Sequence, residues 1–150
     1  MDKKVLSINS KLENLKYRIQ KDKKKFYHFR SISNFLYHIN DKKLSNQNLV
    51  IGNLLELMDF LESNNIDSIH DSLTVFNRFL KPIGELYEKD LGFFIFMKPW
   101  ILNIWISILL VFFYMIGNKI YLTIFLIALF IFFIYWGYKV YKRKVYAFMW

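Results

Sequence analysis

The sequence predicts an all-α membrane protein, an N-terminal helical segment of about four helices followed by a C-terminal two-helix transmembrane hairpin. Two uncharged runs predict the hairpin: residues 100–117 and 120–138, separated only by Asn118 and Lys119. As helices they reach about 27 and about 29 Å at 1.5 Å per residue, close to a hydrocarbon core of roughly 30 Å. Leu, Ile, Val or Phe fill eleven positions of the first run and twelve of the second. Each contributes roughly −0.3 to −0.6 kcal/mol to insertion at a helix centre, so one buried Asn does not cancel the gain. The third observation is that apolar residues before position 98 recur at intervals of three and four, the period of a helix face. These features divide the chain into a helical inner-side domain with a basic arm (1–98), a two-pass hairpin (99–138) and a basic inner-side tail (139–150).

Val5, Ile8, Leu12, Leu15 and Ile19 open the chain with a helical stripe, which is the candidate surface for docking onto a partner or onto the remaining helices. Asp22 interrupts the rhythm, and a bend is expected near residues 21–25. Residues 26–39 carry aromatic and branched side chains at helical spacing, followed by a polar break at Asn40, Asp41, Lys42 and Lys43. Ser45 is the expected N-cap of a third helix, marked by Leu49, Val50, Leu54, Leu57, Met58 and Leu61 and ending in Ser63, Asn64 and Asn65. Ser68 with Asp71 three residues on resembles a capping box. Ile69, Leu73, Phe76 and Leu80 mark a fourth face, Pro82 demands a kink or a stop, and residues 83–90 suit a short helix in a new direction. Residues 91–97 are apolar but too short to span, which suggests an interfacial lead-in before Pro99 opens the first crossing. Gly117 and Asn118 suit the turn between crossings.

Orientation follows from charge. The formal net charge is +9 over 150 residues, with +7 in residues 1–30, −3 in residues 31–98, +4 in the tail and +1 from Lys119. Lys139, Lys142, Arg143 and Lys144 crowd the exit of the second run while the turn carries only Lys119, so the positive-inside rule sets both termini on the cytoplasmic or matrix side of an inner membrane. The expected interfacial anchors are Lys98, Trp100, Trp105, Tyr135, Trp136, Tyr138, Lys142, Arg143 and Lys144, since amphipathic rings and basic side chains favour the headgroup level. Asn103, Ser107 and Thr123 are the polar residues of the runs and the candidates for an intramembrane helix contact. No ionisable residue falls in mid-membrane, which argues against a pump or carrier.

Catalysis finds no foothold. The chain has no Cys, and His28, His38 and His70 lack the spacing of a metal set, although His38 with Asp41, or His70 with Asp71, remains open to a site assembled in space. Glu56, Asp59 and Glu62 read as a solvated helix face. Phosphate-cradling loops, nucleophile elbows and dinucleotide fingerprints are missing. No cofactor, metal or small-molecule substrate is expected. The basic arm and tail match anionic headgroups and lack a nucleic-acid reader motif, so lipid and other membrane subunits are the expected partners and nucleic acid is not.

There is no apolar region of a cleavable signal in the first thirty residues, which leaves the hairpin as the expected targeting signal. Heavy use of Ile, Phe, Tyr, Asn and Lys points to an AT-rich coding source, bacterial or organellar. The expected function is a non-catalytic accessory subunit or adaptor of a larger membrane assembly, such as a respiratory or energy-converting complex. One ground is that ninety-odd residues are expected to be too few to bury so many aromatic and branched side chains. The alternative is a small membrane-acting defence effector or a toxin-immunity protein.

Overall fold

The computed structural model describes residues 3–96, 99–116 and 119–147. The molecule is mostly helical. Helix α1 (Lys3–Arg18) buries Val5, Ile8, Leu12 and Leu15. A 3-10 turn (Lys24–Tyr27) leads into α2 (Phe29–His38), so the expected bend falls where Asp22 breaks the apolar rhythm. Helix α3 (Gln47–Ser63) ends where its terminal Ser and Asn residues suggest. Its N-cap is Asn46 rather than Ser45. The Ser45 hydroxyl and amide both donate to Asp90, at 2.7 and 2.8 Å, so this serine ties the loop to a distant helix end.

Helix α4 (Ile69–Val75) opens with the expected capping box, in which Ser68 accepts from the Asp71 amide and the Asp71 carboxylate accepts from the Ser68 amide. A π-helical turn (Phe76–Leu80) then joins α4 to α5 (Lys81–Leu91). Pro82 sits in the first turn of α5. Its ring lacks an amide donor, and the widened turn just ahead of it is the device that carries the helix past that loss. The buried face comprises Ser72, Val75, Phe76, Phe79 and Leu80. Ile69, expected inside, is exposed at the first position of α4.

The α1 stripe packs onto α3. Val5, Ile8, Leu12 and Leu15 are buried there and Ile19 is partly buried against the same core, so the stripe is an internal contact and does not present a free surface to a partner. The N-terminal helices close much of a core, but they do so together with Tyr146 of the tail and leave Leu6, Tyr17, Tyr37, Leu49 and Ile69 exposed. Tyr27, Phe29, Ile32, Phe35, Leu57, Phe76, Ile83 and Tyr87 are all buried within one cluster.

Two short strands were not expected. Residues 94–96 form β1 (Phe94–Phe96), and the tail supplies β2 (Val145–Ala147). They pair in parallel, with Phe94 opposite Val145, Ile95 opposite Tyr146 and Phe96 opposite Ala147. Between them lie α6 (Pro99–Ile116) and α7 (Lys119–Tyr141), which pack beside each other. Residues 94–96 are thus a strand paired with the tail, and the tail itself enters the core. Val145 and Tyr146 belong to the core, because apolar side chains next to an unpaired strand edge gain both burial and backbone hydrogen bonds by docking.

Of the two expected crossings, the structure supports one. Among the described residues only 120–141 form a helix long and apolar enough to cross a membrane, with a mean hydropathy of 2.3 and none of it buried. Met97, Lys98, and the Gly117 and Asn118 turn lie outside the described residues, as do the side chains of Trp100 and Asn103.

The tightest contact is between α5 and the tail. Tyr146 is 1% exposed, and a Cβ on Gly84 would meet its ring at 2.4 Å. Gly84→Ala is expected to destabilise the helical domain by about 1–3 kcal/mol through overpacking, despite the better helix propensity of Ala. In a Tyr146→Ala background the same change should instead stabilise by up to about 1 kcal/mol. Thermal unfolding of this double-mutant cycle in detergent checks the contact, and equal effects in the two backgrounds would contradict it.

Candidate functional site

The basic residues that follow residue 138 converge on the junction between the helical domain and the paired helices. Helix α5 ends in a left-handed Gly92 with φ of 66°, and the Gly92 amide reaches back to the Glu88 carbonyl at 3.0 Å, an αL-type end. The carbonyls of the last turn still need donors. Lys144 Nζ donates to the Leu91 carbonyl at 2.9 Å and Lys139 Nζ to the Gly92 carbonyl at 2.5 Å. Two positive charges at a helix C-terminus also oppose its dipole favourably. Lys144, expected as a lipid anchor, is thus a helix cap.

Helix α2 grips the same segment from the other side. Asn34 Nδ2 donates to the Val145 carbonyl at 2.8 Å, and His38 Nε2 lies 2.9 Å from the Lys142 carbonyl. Below them, Phe35 is ringed by Tyr87, Phe93 and Tyr146 at centroid distances of 4.8, 5.8 and 5.7 Å. The Tyr87 hydroxyl donates to the Phe35 carbonyl at 2.8 Å and the Tyr146 hydroxyl to Glu88 at 2.6 Å. Burial pushes both phenols well above their ordinary value, and the Glu88 carboxylate adds to the effect at Tyr146. Both remain neutral donors at any physiological pH.

Of the expected anchors, Trp105, Tyr135 and Tyr138 are exposed and Trp136 is half-buried. Lys142 lies over the rings of Tyr138 and Tyr141 at 5.9 and 5.6 Å, Lys139 over Tyr135 at 5.1 Å, and Arg143 over Tyr37 at 4.8 Å. The basic and aromatic residues therefore form one belt at the base of α7. Ser107 on α6 and Thr123 on α7 occupy exposed positions. Among the described residues no group of His, Asp or Glu side chains is arranged to hold a metal ion.

The histidine that matters most to the fold was not singled out by spacing. His28 takes a left-handed backbone, φ 53°, at the entry to α2, a conformation that His adopts more readily than most residues. Its Nε2 lies 3.0 Å from the Ser72 carbonyl and 2.9 Å from the Ser72 hydroxyl. Neutral imidazole donating from Nε2 to the carbonyl satisfies this contact. The side chain is 1% exposed, and burial lowers its pKa below the ordinary 6.5 against a smaller opposing effect of the Ser72 carbonyl.

The pH consequence follows by linkage. The unfolded chain binds a proton near pH 6.5 while the folded chain resists it, so the stabilisation is present above pH 6.5 and is lost as pH falls through the lower folded value. Asp71 and Asp90, held below 3.8 by their Ser68 and Ser45 hydrogen bonds, act only in stronger acid. His28→Asn tolerates the left-handed backbone but loses the contact, and is expected to cost roughly 1–3 kcal/mol at neutral pH. Denaturant unfolding between pH 7.5 and 5 should show falling stability in the natural chain and a flatter response in the variant. Identical slopes would mean that His28 is not the titrating group.

The chain matches no known protein family, no curated protein and no solved structure.

Proposed function

We propose that the chain is a non-catalytic integral membrane protein, an accessory subunit or adaptor whose α6 and α7 cross an inner membrane as a hairpin and whose helical domain is held against the cytoplasmic or matrix face. The observation that carries this reading is the bare apolar surface of the paired helices. Val111 and Phe130 are 60% and 67% exposed, and α7 buries none of its apolar run. Apolar surface loses roughly 25 cal/mol for each Å² left in water, so a surface of this kind calls for lipid or for other membrane helices.

Strand pairing supports two crossings. Because β1 precedes α6, β2 follows α7 and the two strands are hydrogen-bonded side by side, the chain leaves and returns to one face. An even number of crossings satisfies that geometry, so if α7 spans the bilayer α6 spans it as well. The basic belt at the base of α7 favours the inner face for the domain. With the α1 stripe consumed by α3, the surfaces left for neighbouring subunits are the flanks of the hairpin, where bulky Ile, Leu and Phe side chains suit packing against a larger bundle.

Two measurements check the proposal. In this cysteine-free chain, Asn118→Cys should react with an impermeant thiol reagent from the outer side while a cysteine placed at Lys42 is protected. The reverse pattern means that the orientation is inverted. Gentle detergent extraction followed by native sizing and mass spectrometry should find the chain with stoichiometric heterologous partners, and a monomer or homo-oligomer would sink the adaptor reading.

A further inference from the structure

The geometry points to a binding site for the phosphate of an anionic phospholipid, in the hollow of about 440 Å³ between α1, α2 and the end of α7. This inference rests on the membrane reading of α7 above. Three cations from three separate elements line the hollow: Lys16 of α1, Arg30 of α2 and Arg143 of the turn after α7. Ser33 lies beside them, its Oγ 3.3 Å from Lys16 Nζ. Lys16 also donates to Glu13 at 2.7 Å, but an ammonium carries three N–H donors, so these bonds do not exhaust it. Guanidinium and ammonium donors around a single hollow suit the tetrahedral, multiply accepting oxygens of a phosphate.

A free phosphate ester offers the same oxygens, and two observations favour the lipid. First, the other wall of the hollow is Val140 and Tyr141, the last residues of the helix whose apolar run rises away from it. A phosphate held here has its acyl chains alongside α7, as expected of basic pockets beside membrane helices. Second, Gly137 lies one turn above, at i−3 from Val140 and i−4 from Tyr141, on the same helix face. A Cβ built there meets nothing within 4 Å, so the helix surface is open directly above the hollow, where a glycerol backbone passes. Lys142 lines an adjoining hollow of about 340 Å³ that shares Tyr141 and Arg143, and its charge adds to the field.

The test is native mass spectrometry of the full detergent-purified chain titrated with phosphatidylglycerol or phosphatidylcholine of identical acyl chains. The natural chain should retain one phosphatidylglycerol with at least about tenfold preference. K16Q/R30Q/R143Q should lose that preference, and K42Q/K43Q/K81Q, which removes the same charge elsewhere, should keep it. Should the first variant fail to fold, Gly137→Phe gives an independent reading, since it fills the open notch and should weaken lipid retention with the cations intact. Equal retention by the natural chain and both charge variants overturns the site. Displacement of the lipid by millimolar inorganic phosphate or glycerol 3-phosphate assigns the hollow to a soluble ester and also overturns it. An alkaline wash of membranes separates the two levels of inference. Release of the chain removes the membrane reading and the site with it, whereas a retained chain without lipid preference removes the site alone.

Discussion

The closure of Tyr146 over Gly84 is the contact on which the rest of the arrangement depends. A side chain at position 84 would occupy the space of the ring, so the missing Cβ is what lets the tail reach the core. Once seated, Tyr146 stacks on Phe76 at 6.0 Å, touches Phe35 and donates to Glu88, linking the tail to α2, α5 and the π turn together. The parallel pairing of β1 and β2 then follows, because seating the Tyr146 ring brings the backbone of residues 145–147 beside that of residues 94–96, and shielded amides and carbonyls need partners. A parallel pair needs a long crossover. Here the crossover is the α6 and α7 pair itself, stitched at its base so that both helices leave from a fixed point.

That clasp makes the helical domain and the paired helices parts of one folded unit instead of beads on a linker. Linker-free connection matters energetically because the junction is polar at its rim and aromatic inside. The carbonyls at the end of α5 accept hydrogen bonds from Lys139 and Lys144, while Asn34 serves the Val145 carbonyl of the returning strand and His38 the Lys142 carbonyl of the turn before it. The two lysine bonds are charge-assisted and so stronger than neutral ones, and the buried Asn34 bond is costly to leave unmade. The exposed ion pairs of the domain, Lys11 with Asp59 and Glu62, Lys23 with Asp67 and Arg78 with Glu56, are of a different order, since solvent screens them and the side-chain entropy lost in holding them offsets the gain. Stability therefore resides in the apolar cluster and the junction, and the surface charges are free to set orientation and solubility.

One positively charged tail thereby does two jobs. Lys144 turns inward to finish a helix and Lys139 does the same while lying over Tyr135, whereas Lys142 and Arg143 lie over tyrosine rings at the outer rim. Arg143 reaches its place from a left-handed backbone, φ 55°, a conformation that costs a non-glycine residue something to hold. The reversal it makes directs the chain from the end of α7 back into β2, and the same reversal turns its side chain toward α2. Position in the turn, more than charge, decides which basic residue serves the fold and which stays at the exposed rim.

What the sequence determined by itself was everything governed by near neighbours. Apolar spacing marked the α1 stripe, Asp22 marked its end, Ser63 and Asn64 closed α3, and Ser68 with Asp71 set a cap, because each of these depends on contacts within about one helical turn. The two uncharged runs fixed composition and length in the same local way. Tertiary structure decided the rest: that the α1 stripe faces α3, that His28 bonds Ser72, that two lysines cap α5, and that residues 94–96 and 145–147 pair as strands. Three-residue strands carry too short a pattern to betray a period. Their stability comes from partners brought together only when α6 and α7 fold back on themselves, and the same folding back is what gathers Lys16, Arg30 and Arg143 around one hollow.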